Sequence, residues 1–331
     1  MQVESNISNS LALNLSTPPF YAQEETCFLF DVNFNSTQYL YITHILTSVI
    51  NIVFSSTAIA GNAIVIYAVR KTSSLHTPSN TFICCLAISD LTVGLLAQPC
   101  FVVHKIGEIL RRFEMYCITR ILLESLGSIT AGASVLTMAG ATIERYLALY
   151  LHLRYNEIVT IRRVLFAVTC FWIFLIALAA FRVFLMRPEV YSTILVTMIS
   201  LCLLSTYLAY AKILQCVRSH ERRINVKVVS SSLQIEEKSG RLRSILRYKK
   251  STVAMIFVVG VFTVCYLPML CVKLAQRVRG YTVPVKTAYL FASTIAFFNS
   301  SVNPVVYCWR IKTLRHVMKA VLKERLCKGR F

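Results

Sequence analysis

Charge is scarce in this chain. Of 331 residues only 15% are Asp, Glu, Lys or Arg, while 56% are hydrophobic. A soluble protein of this length carries more charge and fewer apolar residues. Acids are the scarcer sign, 15 against 35 Lys and Arg. No spacing of His, Cys, Asp or Glu suits a metal centre, and no nucleophile stands beside a base, so no enzyme reading arises. Internal repeats and low-complexity tracts are missing too. Without two corresponding halves the chain does not look like an inverted-repeat transporter. Residues 1–41 contain no Lys or Arg. With no basic region ahead of an apolar core, no cleavable signal peptide is expected there.

What is present comes in blocks. Nearly uncharged stretches run over 42–69, 80–103, 121–143, 164–181, 190–211, 251–272 and 287–309. Each is about 18–28 residues, enough to cross roughly 30 Å of hydrocarbon as helix. The fold class is therefore an all-α membrane protein, a seven-transmembrane helix bundle. Segments 70–79, 145–163, 212–250 and 310–331 hold 25 of the 35 Lys and Arg. By the positive-inside rule they face the cytoplasm and the N-terminus faces outward. The net charge of +20 is then mostly a cytoplasmic face meeting anionic lipid. Basic residues split among four loops by membrane spans do not suit nucleic acid.

Three parts follow: an outer, glycosylated and disordered tail over 1–41, a seven-helix bundle over 42–309, and an amphipathic helix with a short cytoplasmic tail over 310–331. Asn6, Asn14 and Asn35 open glycosylation sequons in the outer tail. The connection at 185–189 is very short, and the longest inner loop, about 218–247, is expected to be mobile. Residues 309–319 alternate apolar and basic positions at helical spacing, as in an amphipathic eighth helix on the inner leaflet. Cys327 beyond it is either palmitoylated or unmodified. Of the twelve cysteines, Cys27, Cys100, Cys117 and Cys271 lie toward the oxidising side. Cys27 tethers the tail to either Cys271 or Cys117, and the sequence leaves both pairings open.

Polar residues inside the spans carry the chemistry. Asp90 sits mid-span, where a carboxylate costs at least ~2.5–3.5 kcal/mol on insertion scales. Ser134, Asn299, Ser300 and Asn303 lie at comparable depth, and such a cluster of oxygens suits a hydrated monovalent cation better than a transition metal. Glu124 either pairs with Arg120 one turn back or contacts a ligand. Glu144-Arg145-Tyr146 closes span three. Pro268 kinks span six and Pro304 span seven, where neighbouring helices must satisfy the freed carbonyls. A rival reading, a transporter or proton channel using Asp90 and Glu124, needs a relay of ionisable groups, and the chain offers mostly Ser, Thr and Asn there.

Taken in order, these residues resemble the rhodopsin-like (class A) family of G-protein-coupled receptors over about residues 42–320. The resemblance rests on Gly61-Asn62, on Leu86-Ala87-Ile88-Ser89-Asp90-Leu91, on Glu144-Arg145-Tyr146 and on Trp172. Tyr207, Pro268 and Asn303-Pro304-Val305-Val306-Tyr307 complete it. It implies a plasma-membrane receptor that transmits binding of an extracellular ligand to a heterotrimeric G protein, with arrestin as a further partner. The implied switch comprises Glu144, Arg145, Tyr146, Leu153, Tyr207, Tyr266, Pro268, Asn303, Pro304 and Tyr307. Asp90, Ser134, Asn299, Ser300 and Asn303 match the family's sodium pocket, and no other cofactor is implied. Glu124, Gly127, Cys100, Tyr266 and Lys273 are the ligand candidates.

Several positions depart from the family pattern. Tyr266 replaces the usual Trp of span six, and Ile199 stands where span five usually has proline before Tyr207. No acid closes span six near Tyr248, so Arg145 lacks an inter-helix lock and appreciable basal signalling is expected. The usual disulfide from span three to the second outer loop is missing, because Arg120 stands near its cysteine's position. A short, cysteine-free second outer loop without a span-five proline resembles the melanocortin receptors. Adenosine, cannabinoid and lysophospholipid receptors form the looser match. Only Glu124 of the melanocortin acids is present; Cys100 and Arg120 replace the others. An aminergic ligand needs an acid where Gly127 stands, and retinal needs a Lys within span seven, which has none between Lys286 and Arg310. Cations at Lys105, Arg120, Arg182, Lys273, Arg277 and neighbouring outer positions either favour an anionic ligand or form a solvated rim.

Overall fold

Long apolar stretches in a medium without water must satisfy their backbone internally, which leaves the helix as the default element. The computed structural model describes residues 26–27, 30–31, 34, 37–151, 154–229, 235–280, 282–310 and 315–320. Among them are seven long helices: α1 (Thr37–Lys71), α2 (Pro78–Ile109), α3 (Phe113–Leu151), α4 (Ile161–Leu185), α5 (Pro188–Val229), α6 (Ile235–Arg279) and α7 (Val283–Arg310). All but α7 contain a stretch long and apolar enough to cross a membrane on composition alone, in α5 Val190–Cys216 and in α6 Ile256–Arg279. The exception is explained by Asn299, Ser300, Ser301 and Asn303, which lower the apolar content of α7 but face protein rather than lipid.

The helices close a ring in the order α1–α2–α3–α5–α6–α7, with α4 packed outside against α2 and α3. The surface is apolar as lipid requires: Ile42, Phe166, Ile173, Leu201, Val264 and Val305 all point outward. Local sequence sets the ends. Thr77 caps α2 ahead of Pro78, and Thr160 caps α4 by accepting from Arg163 N–H. Gly280 ends α6 at φ 70°, a left-handed conformation that glycine takes without strain. Within α2, a π-turn at Val93–Ala97 precedes Pro99, and Ser55 of α1 donates to the Gly94 carbonyl at 2.8 Å. That contact satisfies a group the irregular turn exposes.

The structure changes several expected boundaries. Helix α1 begins at Thr37, before the expected end of the tail at 41. The tail also contains an antiparallel pair, β1 (Thr26–Cys27) with β2 (Phe30–Asp31). Cys27 is bonded to Cys117 in the first turns of α3, with Cα atoms 5.5 Å apart, while Cys271 is free and exposed. The pairing is reinforced by an apolar cluster in which the Phe34 ring meets Tyr116 edge-on at 5.2 Å. The expected mobile loop at 218–247 is largely helix, because α5 runs to Val229 and α6 starts at Ile235. Its many Arg, Lys and Glu residues are good helix formers. Residues 315–320 form a final short helix, α8, held to the end of α7 by Met318 against Cys308, whose sulfurs are 3.3 Å apart.

Candidate functional site

At the end of the bundle that carries the Cys27–Cys117 bridge, α3, α5, α6 and α7 enclose a cavity of about 560 Å³. Its walls are layered. Toward the mouth lie Arg120, Glu124, Arg182, Lys273, Gln276 and Arg277; deeper lie Ala131, Ile199, Tyr266, Ala296 and Phe297. Helical register produces this. Moving from 120 to 131 on α3 and from 277 to 266 on α6 follows both helices in the same direction, from charged to apolar. The two-residue connection at Met186 and Arg187 is too short to cover the opening.

Glu124 is the electrostatic centre of the mouth. Arg182 of α4 donates to its Oε2, and Arg120 Nε lies 3.5 Å from its Oε1. Glu124 thus pairs with Arg120, and it also lines the cavity. The Arg182 guanidinium lies over the Tyr191 ring at 5.0 Å, and Tyr191 shares a 2.7 Å hydrogen bond with Ser128. Lys273 lies over Tyr289 at 5.3 Å, and Arg277 donates to Thr193. Gly127 opens directly into the space: a Cβ added there would meet nothing within 4 Å. Cys100 does not line the cavity. Its thiol points to the Thr119 carbonyl at 3.5 Å, and the adjacent Phe101 takes the wall position.

The cavity floor connects downward by packing. The Tyr266 ring stacks on Phe262 at 4.1 Å, one turn along α6 and just before Pro268, which lies inside the helix. Phe262 is 1% exposed and belongs to the same core cluster as Tyr307, Tyr210 and Ile213, against which Trp172 also packs. Close packing of this kind transmits displacement rather than absorbing it.

Beneath lies a buried polar core. Asn303 donates to Asp90 Oδ2 at 2.7 Å, and Ser300 also hydrogen-bonds that carboxylate. Ser134 pairs with Ser89 at 3.2 Å, beside Asp90 in sequence. Asp90 Oδ1, Asn299 Oδ1, Asn303 Oδ1 and Tyr307 Oη find no partner among the described residues. The proline at 304 removes the N–H that would have bonded the Ser300 carbonyl. Asn62 of α1 supplies the substitute, donating to that carbonyl at 2.9 Å. Gly61 makes the approach possible, since a Cβ there would lie 2.9 Å from the Pro304 ring.

At the opposite end, Arg145 Nε lies 3.5 Å from Glu144 Oε2. Glu144 Oε1 accepts from Ser79 at 2.7 Å and from Tyr155 at 2.5 Å. Burial, and then the bond to the Glu144 carboxylate, push the Tyr155 phenol further above its usual range, so it stays a donor. Tyr146 is half-exposed and stacks on Tyr150.

One expected switch residue is displaced. Tyr207 is 38% exposed and bonds Thr263 of α6 at 2.7 Å. Tyr210, three residues later, is the buried one at 3%, bonded to Thr142 and near Arg145. Without a span-five proline the sequence gives no anchor for register, which explains the slip. Eight residues before Tyr210 stands Cys202, again not proline. Phe262, Tyr155 and Asn62's bond to Ser300 were also missed, since each depends on a contact between distant segments. The solvated-rim reading fails for Lys105 and Arg182, both 5% exposed. Lys105 is bound to Glu108 at 2.8 Å, and Glu108 lies 3.6 Å from His44. Leu153, Asn6, Asn14, Asn35 and Cys327 lie outside the described residues.

Comparison with known proteins agrees with this geometry. The model of the 7 transmembrane receptor (rhodopsin family) matches residues 61–192 and 185–307. Adenosine receptor A2b of Homo sapiens is 27% identical over 310 residues, covering 85% of this chain and 91% of that receptor. Adenosine receptor A3 of Ovis aries is 26% identical, covering 88% and 93% respectively. Histamine H2 receptor of Cavia porcellus is 26% identical, covering 78% and 74%. Adenosine receptors, the looser of the two expected matches, are thus among the similar proteins, and a receptor is favoured over a transporter. The chain belongs to the rhodopsin-like family of seven-transmembrane, G-protein-coupled receptors.

Proposed function

We propose that this receptor sits in the plasma membrane with the Cys27–Cys117 end outside, and that a ligand entering the 560 Å³ cavity biases a switch at the Arg145 end. The distribution of Lys and Arg supports that orientation, as does a disulfide at that end. The observation that carries the mechanism is the continuous stack from the cavity floor to the inner core: Tyr266 on Phe262, within one cluster with Tyr307 and Tyr210. A ligand that favours one Tyr266 position repacks Phe262 beside the Pro268 kink and moves the inner part of α6. The ligand shifts the population only by its difference in affinity for the two arrangements.

At rest, Glu144 holds Arg145, and Ser79 with Tyr155 holds Glu144. Release of Arg145 toward Tyr210 would expose a cation for the G protein, with arrestin as the second cytoplasmic partner. Leu153, beyond the described residues, would insert into the G protein. Glu124, Gly127, Tyr266 and Lys273 are the ligand contacts, joined by Arg182. Asn6, Asn14 and Asn35 carry glycans on the outer tail, and Cys327 is a candidate lipid anchor.

The donor set around Asp90 fits a sodium ion: one carboxylate with Ser134, Asn299, Ser300 and Asn303, three of whose oxygens lack partners, counting Asp90 Oδ1. When bound, the ion would supply a positive charge that favours the resting arrangement. The test is a ligand screen with a promiscuous G-protein readout, using Glu124→Gln and Arg145→Ala as controls. A hit whose response survives Arg145→Ala unchanged would refute the switch.

A further inference from the structure

The sequence places Tyr207 in the switch beside Arg145, but the structure gives that place to Tyr210. The displaced Tyr207 has a different contact. Its hydroxyl lies 2.7 Å from Thr263 Oγ1, bridging α5 and α6. The Thr263 hydroxyl has a single proton and donates it to the Val259 carbonyl, one turn back, at 2.9 Å. Tyr207 is therefore the donor of the interhelical bond, and Thr263 Oγ1 the acceptor.

The bond sits on the lipid-facing side of the bundle. Tyr207 is 38% exposed, and Leu204, Leu208 and Val264 beside it point outward. Acyl chains offer no competing hydrogen bond, so a parted Tyr207 hydroxyl has no water to turn to. Thr263 stands five residues before Pro268, about 7.5 Å along the helix toward the Arg145 end. A swing of α6 away from α5 by about 20° at the proline, the size of a sharp kink, carries Thr263 about 2.5 Å. That opens a 2.7 Å bond past hydrogen-bond reach.

No acid stands near Tyr248 to hold Arg145 to α6. We propose that the Tyr207–Thr263 hydrogen bond supplies the restraint on α6 instead, a clamp that keeps α6 against α5 at rest. Tyr207 and Thr263 are then positioning residues of the G-protein switch. The assignment rests on the reading that the inner part of α6 moves to release Arg145. Interhelical hydrogen bonds in membranes shift an equilibrium about threefold on average and under about twentyfold at most. Such a clamp is weak enough for a ligand to break through Tyr266 and Phe262, because Phe262 adjoins Thr263 in the chain.

The test is ligand-free nucleotide exchange on a panel of G proteins by the full-length receptor in nanodiscs. Tyr207→Phe keeps the ring and loses the donor; Thr263→Val keeps the shape and loses the acceptor. Each should raise exchange about threefold over wild type. The double variant should rise no further than either single one, because both remove the same bond. Thr263→Ser keeps the acceptor and should exchange like wild type. Thermal midpoints are measured in parallel. A bond that only adds stability would lower the midpoint and leave exchange where it was, and that result would overturn the clamp. So would additive rises in the double variant, or a Tyr207→Phe receptor as silent as a silent wild type. Adding Arg145→Ala to Tyr207→Phe separates the two readings. Excess exchange that survives Arg145→Ala removes the switch at Arg145 and leaves the clamp. Arg145-dependent exchange in wild type that Tyr207→Phe does not raise removes the clamp and leaves the switch.

Discussion

Removing the side-chain amide of Asn62 should destabilise the receptor, and Pro304 should be the reason. The Ser300 carbonyl has lost its helical donor to Pro304 and accepts instead from Asn62 at 2.9 Å. Both Asn62 and Ser300 are buried, at 0% and 3% exposure, so no solvent replaces the bond. An orphaned buried carbonyl costs about 1–3 kcal/mol. Interhelical hydrogen bonds in membrane proteins measure lower, about 0.6 kcal/mol on average and about 1.7 at most. Asn62→Ala should therefore cost about 1–2 kcal/mol. In a Pro304→Ala background residue 304 regains an N–H, the Ser300 carbonyl regains its helical donor, and the cost of Asn62→Ala should fall below about 0.5 kcal/mol. The assay is a double-mutant cycle on thermal midpoints of purified receptor in nanodiscs, with a predicted coupling of about 1 kcal/mol. Additive losses in the double variant would refute the account of how α7 tolerates its proline.

Other expectations follow from single contacts. Gly127→Ala should fold like wild type, because its Cβ meets nothing within 4 Å, whereas Gly127→Leu should fold and yet fail to respond to any cavity ligand; thermal midpoint and dose–response separate the two. Glu124→Gln removes the carboxylate that Arg182 and Arg120 share and should lower the thermal midpoint, with Arg182→Met in the double variant recovering part of the loss. A reductant should lower the thermal midpoint of wild type and of Cys271→Ser but not of Cys27→Ser, because the only bridge among the described residues joins Cys27 to Cys117. Tyr155→Phe removes one of two donors to Glu144 Oε1 and should raise ligand-free nucleotide exchange, measured with a non-hydrolysable nucleotide.

The seven helices were legible because lipid imposes a simple rule on composition, and α7 was legible despite its polar residues because of the pattern around Pro304. Asp90, Asn303 and Ser300 were legible because a polar group inside a span has few places to go. What escaped the sequence lies between helices. Choosing Tyr210 over Tyr207 requires the rotation of α5, which no proline fixes. Choosing Cys117 over Cys271 requires knowing where the strand pair of Thr26–Cys27 and Phe30–Asp31 lies. Arg182 looked like a rim charge because nothing local shows that α4 turns it toward Glu124. The inner loop misled for a different reason: its charged residues are equally at home in a solvated helix.

The central claim is that Arg145, released from Glu144, switches a G protein. The most direct measurement is ligand-free nucleotide exchange on a panel of G proteins by receptor in nanodiscs, wild type beside Arg145→Ala and Glu144→Gln. The account predicts exchange above empty nanodiscs for wild type, more for Glu144→Gln, and none above background for Arg145→Ala. Exchange by Arg145→Ala equal to wild type would contradict it.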